Sequence, residues 1–172
     1  MIIETKRLRL APLKSFDNFK RVYSDELTVK AWSKDEITED KLKEKFEKKT
    51  EHWKSYGFGV YEVYLKTGEF VGLVGVEKEN DYVKVGGLGL SEFHGKFGLA
   101  VEAMQGLLKY SFDHDIAREL IAYTYETNII PQKMMRYFGG YLYYTNLYKG
   151  ERSLYYKITK QDFSKMINAR FK

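Results

Sequence analysis

The chain contains no cysteine, which excludes disulfides, thiolate metal sites and a cysteine nucleophile. Proline is scarce, with two in 172 residues, so neither a proline-rich linker nor a low-complexity stretch divides the chain. No apolar run approaches the roughly 20 residues of a membrane-spanning helix. The opening Met1–Lys6 lacks the apolar core of a signal peptide. A cytoplasmic protein with no membrane association is the expectation. The three histidines, His52, His94 and His114, are scattered, and without thiolates they do not form a metal site; His52 and His114 read as structural.

What is present is the composition of one globular domain over residues 1–172, with 44% hydrophobic and 31% charged residues. A chain of this length buries a full core without covalent staples. Aromatic residues make up 16%, and 15 of them are tyrosines, a type that suits both core edges and the walls of binding sites. The net charge of +5 attracts anions. The lysines are interspersed with glutamates, as in Lys41–Lys49, which marks a solvated helix face. No nucleic-acid motif accompanies them, so nucleic acid ranks last among the partners considered.

Residues Arg7–Leu13 alternate apolar and basic and read as a strand that Pro12 ends near the sheet edge or past it. Ser15 or Asp17 caps a short helix to about Tyr23, and Glu39 to Ser55 reads as a longer helix with Leu42, Phe46 and Trp53 at helical spacing. Val60–Leu65, Phe70–Glu77 and Tyr82–Leu90 form an antiparallel meander. The third strand carries Gly86-Gly87-Leu88-Gly89, a mark of a bulge or of close approach to the backbone. A helix over Leu99–Phe112, a strand over Leu120–Tyr125 and a helix over Asn128–Phe138 follow, the last with Pro131 in its first turn and Gly139-Gly140 as its stop. Strands over Tyr141–Tyr148 and Ser153–Ile158 and a terminal helix from about Gln161 complete the chain. The interspersed order predicts an α/β or α+β domain with a mixed sheet. The tyrosine-rich strand Tyr141–Tyr148 is a candidate for pairing across a homodimer.

One feature carries chemistry: the loop Ser91–Gly98, which joins a glycine-rich strand to a helix. Helix N-termini present unpaired N–H groups and partial positive charge. A run of amides leading into one can cradle phosphate, and Lys96 adds a full charge. The plain alternative is a turn before a helix.

Glu92-Phe93-His94-Gly95-Lys96-Phe97-Gly98-Leu99-Ala100-Val101-Glu102-Ala103 resembles the pyrophosphate loop and following Glu-Ala pair of the GNAT acetyltransferases. Asn128 and Arg136-Tyr137-Phe138-Gly139 resemble the family's later Asn-started helix and its turn. Glu4–Leu10 and Trp53–Val60 resemble the branch that acetylates the N-termini of ribosomal proteins, the RimJ/RimL-like enzymes. The resemblance implies a GNAT-like fold, a mixed and mainly antiparallel sheet of about seven strands flanked by helices. It implies acetyl-CoA as cofactor, held by Leu88, Gly89, Leu90, His94, Gly95, Lys96, Phe97, Gly98, Leu99, Ala100, Asn128, Lys133 and Tyr137. The family's Gln or Arg falls on Gly95, or on His94 if Phe97 is an insertion. The tyrosine that serves many members as general acid falls on Met135, and the strand at Lys84–Gly87 lacks the branch's carboxylate.

The implied reaction is direct attack of an amine on a thioester, the acceptor being a protein N-terminus or a small-molecule amine. The candidates for removing the amine's proton are Tyr123, Glu77 and His94, with Glu92 beside them. Each has a plainer reading: a solvated carboxylate for Glu77 and Glu92, a loop contact for His94 and a wall residue for Tyr123. Asn128 is read both as a helix cap and as a contact to the cofactor's pantetheine arm. The competing function is a non-catalytic acyl-CoA-binding module of the same fold.

Overall fold

The computed structural model describes residues 1–32, 37–96, 98–148 and 150–170. Eight strands and six helices lie among them, in two units: Met1–Glu77 with Gly87–Tyr110, and Lys78–Gly86 with Ser111–Lys172. No helix among the described residues is long and apolar enough to cross a membrane.

In the first unit a two-residue strand, β1 (Ile3–Glu4), pairs antiparallel with β2 (Leu8–Pro12). β2 pairs with β3 (Val60–Leu65) and β3 with β4 (Phe70–Glu79), both antiparallel. The last residues of β5 (Tyr82–Gly89) border β4. Alternation decides the faces of β2: Leu8 and Leu10 are buried and Arg9 is exposed. Pro12 closes β2 opposite Tyr61, beyond the last β1 partner at Leu10, where no ladder bond on that side needs its missing N–H. β1 is one strand more than the sequence pattern indicated, because two residues are too short to show a period.

Helix α1 (Phe16–Tyr23) is capped by Ser15, whose hydroxyl accepts from the Asn18 N–H. Ser15 is itself fixed by buried Glu62, whose carboxylate accepts the Ser15 N–H at 2.9 Å and the Tyr64 hydroxyl at 2.9 Å. Helix α2 (Glu26–Trp32) was not anticipated from the pattern. Asp25 accepts the Leu27 N–H and starts it. Helix α3 (Glu39–Tyr56) starts at Thr38 and stops at Gly57, whose φ of +73° suits glycine. Phe19, Val22, Leu42, Val60, Phe70, Leu73 and Leu90 share one buried cluster, which seats α1 and α3 on the strands. Helix α4 (Leu99–Asp113) follows β5 after a short 3₁₀ turn at Ser91–Phe93.

In the second unit the first part of β5 runs parallel to β6 (Glu119–Tyr125), in register at Lys84↔Ile121. β6 pairs antiparallel with β8 (Glu151–Thr159), and β8 with β7 (Tyr141–Tyr148), the edge strand. One face of β6 and β8 (Leu120, Ala122, Leu154, Tyr156, Ile158) is buried. Helix α5 (Ile129–Tyr137) with its C-cap Phe138, and helix α6 (Lys160–Arg170), supply Met135, Phe138 and Phe163 to this core, and the Phe163 ring meets Phe112 and Phe138 at 5.5 and 6.1 Å. The other face keeps Tyr123, Tyr125 and Tyr155 half-exposed. The mixed, mainly antiparallel sheet and flanking helices expected from the sequence are both present.

Candidate active site

The glycines of β4 and β5 divide into two kinds. A Cβ on Gly72 would meet the Leu88 carbonyl at 2.4 Å, and one on Gly87 would meet the Leu73 carbonyl at 3.0 Å, so the packing of the two strands requires both. Gly86 and Gly89 have nothing within 4 Å of an added Cβ, and both are exposed. Packing does not explain them. They leave β5 with bare backbone over a stretch where the strand could have carried side chains.

The loop after β5 is glycine-determined at two points. Gly95 and Gly98 both have φ of +68°, in the left-handed region, with open space around an added Cβ. Gly98 stands at the start of α4, its carbonyl accepting the Glu102 N–H at 3.0 Å. Lys96 is exposed, with its Nζ 5.9 Å from the Phe93 ring centre. His94 is exposed and extended, its N–H donating to Ser91. Phe97 lies outside the described residues.

Acids far away in sequence hold this loop and helix, and sequence reading missed that role. Asp25 accepts the Ser91 N–H at 3.0 Å and the Ser91 hydroxyl at 2.9 Å. Burial pushes the Asp25 carboxyl up, but the Ser91 and Leu27 amides, the Ser91 hydroxyl and nearby Arg21 outweigh it and hold it below its ordinary range. Arg21 pairs with Glu92. Glu102 accepts from the Thr5 hydroxyl (2.7 Å), the Arg7 N–H (2.7 Å) and the Arg7 Nε (2.6 Å). It too is lowered: burial raises it, and the Thr5 and Arg7 hydrogen bonds and the Arg7 charge more than offset that. The Glu of the Glu-Ala pair is therefore an anchor for the chain entering β2. No local signal marks these contacts, because Asp25 and Ser91 are 66 positions apart and Thr5 and Glu102 are 97 apart.

The amides at the end of β5 are already partly engaged. Leu90 N–H donates to Val71 and Ser91 N–H to Asp25. Glu77 is half-buried and holds Lys49 Nζ at 2.5 Å, so it is a paired rather than a solvated carboxylate, and Glu92 is exposed and pairs with Arg21.

In the second unit Tyr123 is half-buried, its ring 5.2 Å from that of Tyr155 and 5.8 Å from Lys84 Nζ. Asn128 occupies the N-cap position of α5, yet its side chain makes no capping hydrogen bond. The cap reading thus describes its position and not its side chain. Lys133 is exposed. Tyr137 packs on Phe138, with the Arg170 guanidinium 3.4 Å from its ring centre. Met135 is buried, so no proton donor stands at that position. His52 Nδ1–H donates to the Phe58 carbonyl at 2.8 Å, a contact that suits a structural role. Among the described residues no three His, Cys, Asp or Glu side chains gather as a metal site.

Residues 7–140 match the model of the acetyltransferase (GNAT) domain. Comparison with curated proteins finds no match. Among solved structures, an acetyltransferase from Agrobacterium tumefaciens str. C58 is similar with a TM-score of 0.79 at 21% identity, over 93% of this chain and 95% of that one. The ribosomal-protein-S5-alanine acetyltransferase from Vibrio fischeri is similar with a TM-score of 0.75 at 15% identity, over 95% and 98%. RimL, a ribosomal L7/L12 alpha-N-protein acetyltransferase in complex with coenzyme A, is similar with a TM-score of 0.72 at 16% identity, over 92% and 98%. At these identities the structural likeness shows the fold. The family model reaches further, from the start of β2 to the glycine stop after α5, and the chain belongs to the GNAT acetyltransferase family.

Proposed function

We propose that the chain is an acetyl-CoA-dependent N-acetyltransferase whose acceptor is a primary amine, on a protein N-terminus or a small molecule. The observation that carries this reading is the pair of glycine sets that packing does not require: Gly86 and Gly89 along β5, and Gly95 and Gly98 in the loop before α4.

Acetyl-CoA supplies an acetyl group activated as a thioester. The loop His94–Gly98, with Leu99 and Ala100 in the first turn of α4, suits its pyrophosphate, because glycine lets backbone amides approach an anion and the helix dipole favours the charge. Lys96 adds a cation at the same loop. The family's basic side chain fits His94 better than Gly95, since the extended backbone of His94 admits any residue and the left-handed backbone of Gly95 does not. Asn128 has an uncommitted capping position for the pantetheine amides, and Lys133 and Tyr137 lie further along the same helix.

Developing charge on the thioester oxygen calls for a backbone donor. Leu90 and Ser91 amides already donate to Val71 and Asp25. Leu88 turns its N–H toward β4 as Leu90 does, so the role falls to the Gly89 amide. The leaving thiolate needs no strong acid, as a thiol of pKa about 8.5 departs readily, so buried Met135 does not block the reaction. An α-amine, with pKa near 8, also needs less help in losing its proton than an alkylamine near 10. With Glu77 tied to Lys49, His94 and Tyr123 are the candidates for receiving that proton.

The first test is thermal unfolding with and without acetyl-CoA. A native-state ligand at about one hundred times its Kd adds roughly 2.7 kcal/mol, a rise on the order of 5–10 °C. Thiol release with a panel of amines is the second. A saturable shift with turnover supports the enzyme. A shift with no turnover on any amine makes the chain an acyl-CoA-binding module, and no shift at millimolar cofactor overturns the cofactor assignment. The homodimer is also a proposal, supported by edge strand β7 with Tyr141, Leu142, Tyr143, Tyr144 and Leu147 exposed; light scattering of the purified protein tests it.

A further inference from the structure

Asn128 stands at the N-cap position of α5, where an Asn side chain ordinarily accepts an N–H of the first helical turn. It makes no such bond, and among the described residues its side-chain amide has no hydrogen-bond partner. Another side chain secures the turn between β6 and α5. Gln132 Nε2 donates to the Glu126 carbonyl at 2.8 Å and to the Asn128 carbonyl at 3.1 Å. The Asn128 N–H closes the same turn on the Tyr125 carbonyl at 2.9 Å. Gln132 is itself oriented from the core. Its Oε1 accepts the hydroxyl of fully buried Tyr156 at 3.3 Å, and that hydroxyl accepts from Arg136 Nη2 at 3.2 Å. Carbonyls only accept, so the Gln132 nitrogen must face the turn and its oxygen the tyrosine. All of these residues belong to the second unit.

The carbonyls that Gln132 grips lie on either side of Thr127, so one amide fixes the backbone that carries Asn128. Asn128 is thereby relieved of holding the helix start. An Asn amide that caps a helix spends acceptor capacity on the backbone, whereas a free one keeps both its donor and its acceptor sides for a ligand. The amides of a pantetheine arm need one group of each kind. A side chain whose backbone is already fixed also loses less freedom on binding. We propose that Gln132, oriented by Tyr156, is a positioning residue for the cofactor: it holds the backbone of Asn128 so that the free Asn128 amide meets an amide of the pantetheine arm. Gln132 acts through Asn128 and not by touching the cofactor. This rests on the acetyl-CoA reading above.

The test is calorimetric titration with coenzyme A and with 3′-phospho-ADP, the part of coenzyme A that remains without its pantetheine arm. The proteins are the wild type, Asn128→Ala, Gln132→Met and the double variant; methionine keeps the length of glutamine and removes its donors. Gln132→Met should weaken coenzyme A severalfold, as Asn128→Ala does, and leave 3′-phospho-ADP within about twofold of the wild type. The double variant should bind coenzyme A no more weakly than Asn128→Ala, because residues that act in series do not add. Losses that multiply, a loss shared equally by both probes, or an unchanged affinity in Gln132→Met overturn the positioning role. If Gln132→Met does not fold, Tyr156→Phe, which leaves Gln132 Oε1 without its hydroxyl, carries the same cycle with a smaller loss. If the wild type does not bind coenzyme A, the cofactor reading fails separately, and the brace is judged by amide exchange in the free protein. Faster exchange of the Asn128 N–H in Gln132→Met sustains Gln132 as the residue that holds this turn, and unchanged exchange removes it.

Discussion

The two units use opposite materials. The first builds its candidate site from backbone: bare Gly89 at the end of β5, left-handed glycines in the loop and the first turn of α4. The second builds from side chains, with Glu79, Lys84 and a set of tyrosines on one face of β5, β6 and β8. A backbone site recognises what every ligand of its class shares, such as a pyrophosphate. A side-chain site discriminates among ligands, because its charges and rings can be exchanged one at a time. Under the proposed function, loop glycines of the first unit suit the pyrophosphate that every acetyl-CoA carries, and side chains of the second unit suit contacts that differ from ligand to ligand.

Gly98→Val is the strongest way to break this contrast. It places a β-branched residue at φ +68° and fills the approach to the α4 amides, costing about 1–2 kcal/mol of strain. Cofactor affinity should fall more than about a hundredfold, enough to remove the roughly 2.7 kcal/mol of ligand stabilisation; calorimetry and thermal shift measure it. An unchanged affinity would show that the backbone of this loop does not bind the cofactor.

Glu102→Ala comes next. It leaves the Thr5 hydroxyl and Arg7 donors without their acceptor, and a loss of about 1–3 kcal/mol is expected in denaturant unfolding. Glu102→Gln should recover part of it. Equal stability of the Ala variant would mean that the anchor is dispensable.

A smaller effect is expected from acid. Asp25 and Glu102 both sit below their ordinary carboxyl range in the folded state. Groups depressed by folding contribute stability that is present above the unfolded pKa of about 4 and is lost as pH falls through the folded value. Unfolding midpoints followed from pH 7 downward should therefore drop below about pH 4, and Asp25→Asn should make that drop shallower. A variant with the same acid limb as the wild type would remove Asp25 from the account.

The smallest expected effect sharpens the comparison. Asn128 has no capping hydrogen bond to lose, so Asn128→Ala should change stability by no more than about 0.5 kcal/mol while weakening cofactor binding severalfold. A loss near the roughly 1 kcal/mol of a working cap, with binding unchanged, would return Asn128 to a purely local role.

Much of this was legible in the sequence. Alternation in Leu8-Arg9-Leu10, the cap at Ser15 and the Gly139-Gly140 stop all express preferences of neighbouring residues, which is why these elements fell where the pattern put them. Gly86 through Gly98 stood out because glycine at such density has few local explanations. Helix α2 and strand β1 were missed for the converse reason. One buries Thr28 and exposes Val29, against the apolar pattern, and the other is too short to carry a period.

The sequence by itself determined the element order, the glycine loop and the family to which that loop points, since these depend on residues near one another in the chain. Only the tertiary structure decided that Glu102 and Asp25 are anchors, that Glu77 and Glu92 are paired, that Gly72 and Gly87 serve packing while Gly86 and Gly89 do not, and that Glu79 faces a lysine and a tyrosine wall. Most of those contacts join residues far apart in the chain, and even the hairpin's Glu79 acquires its aromatic surroundings only when β6 and β8 pair beside β5. A carboxylate's role is set by whatever folding brings to it, and that is not written in its neighbours.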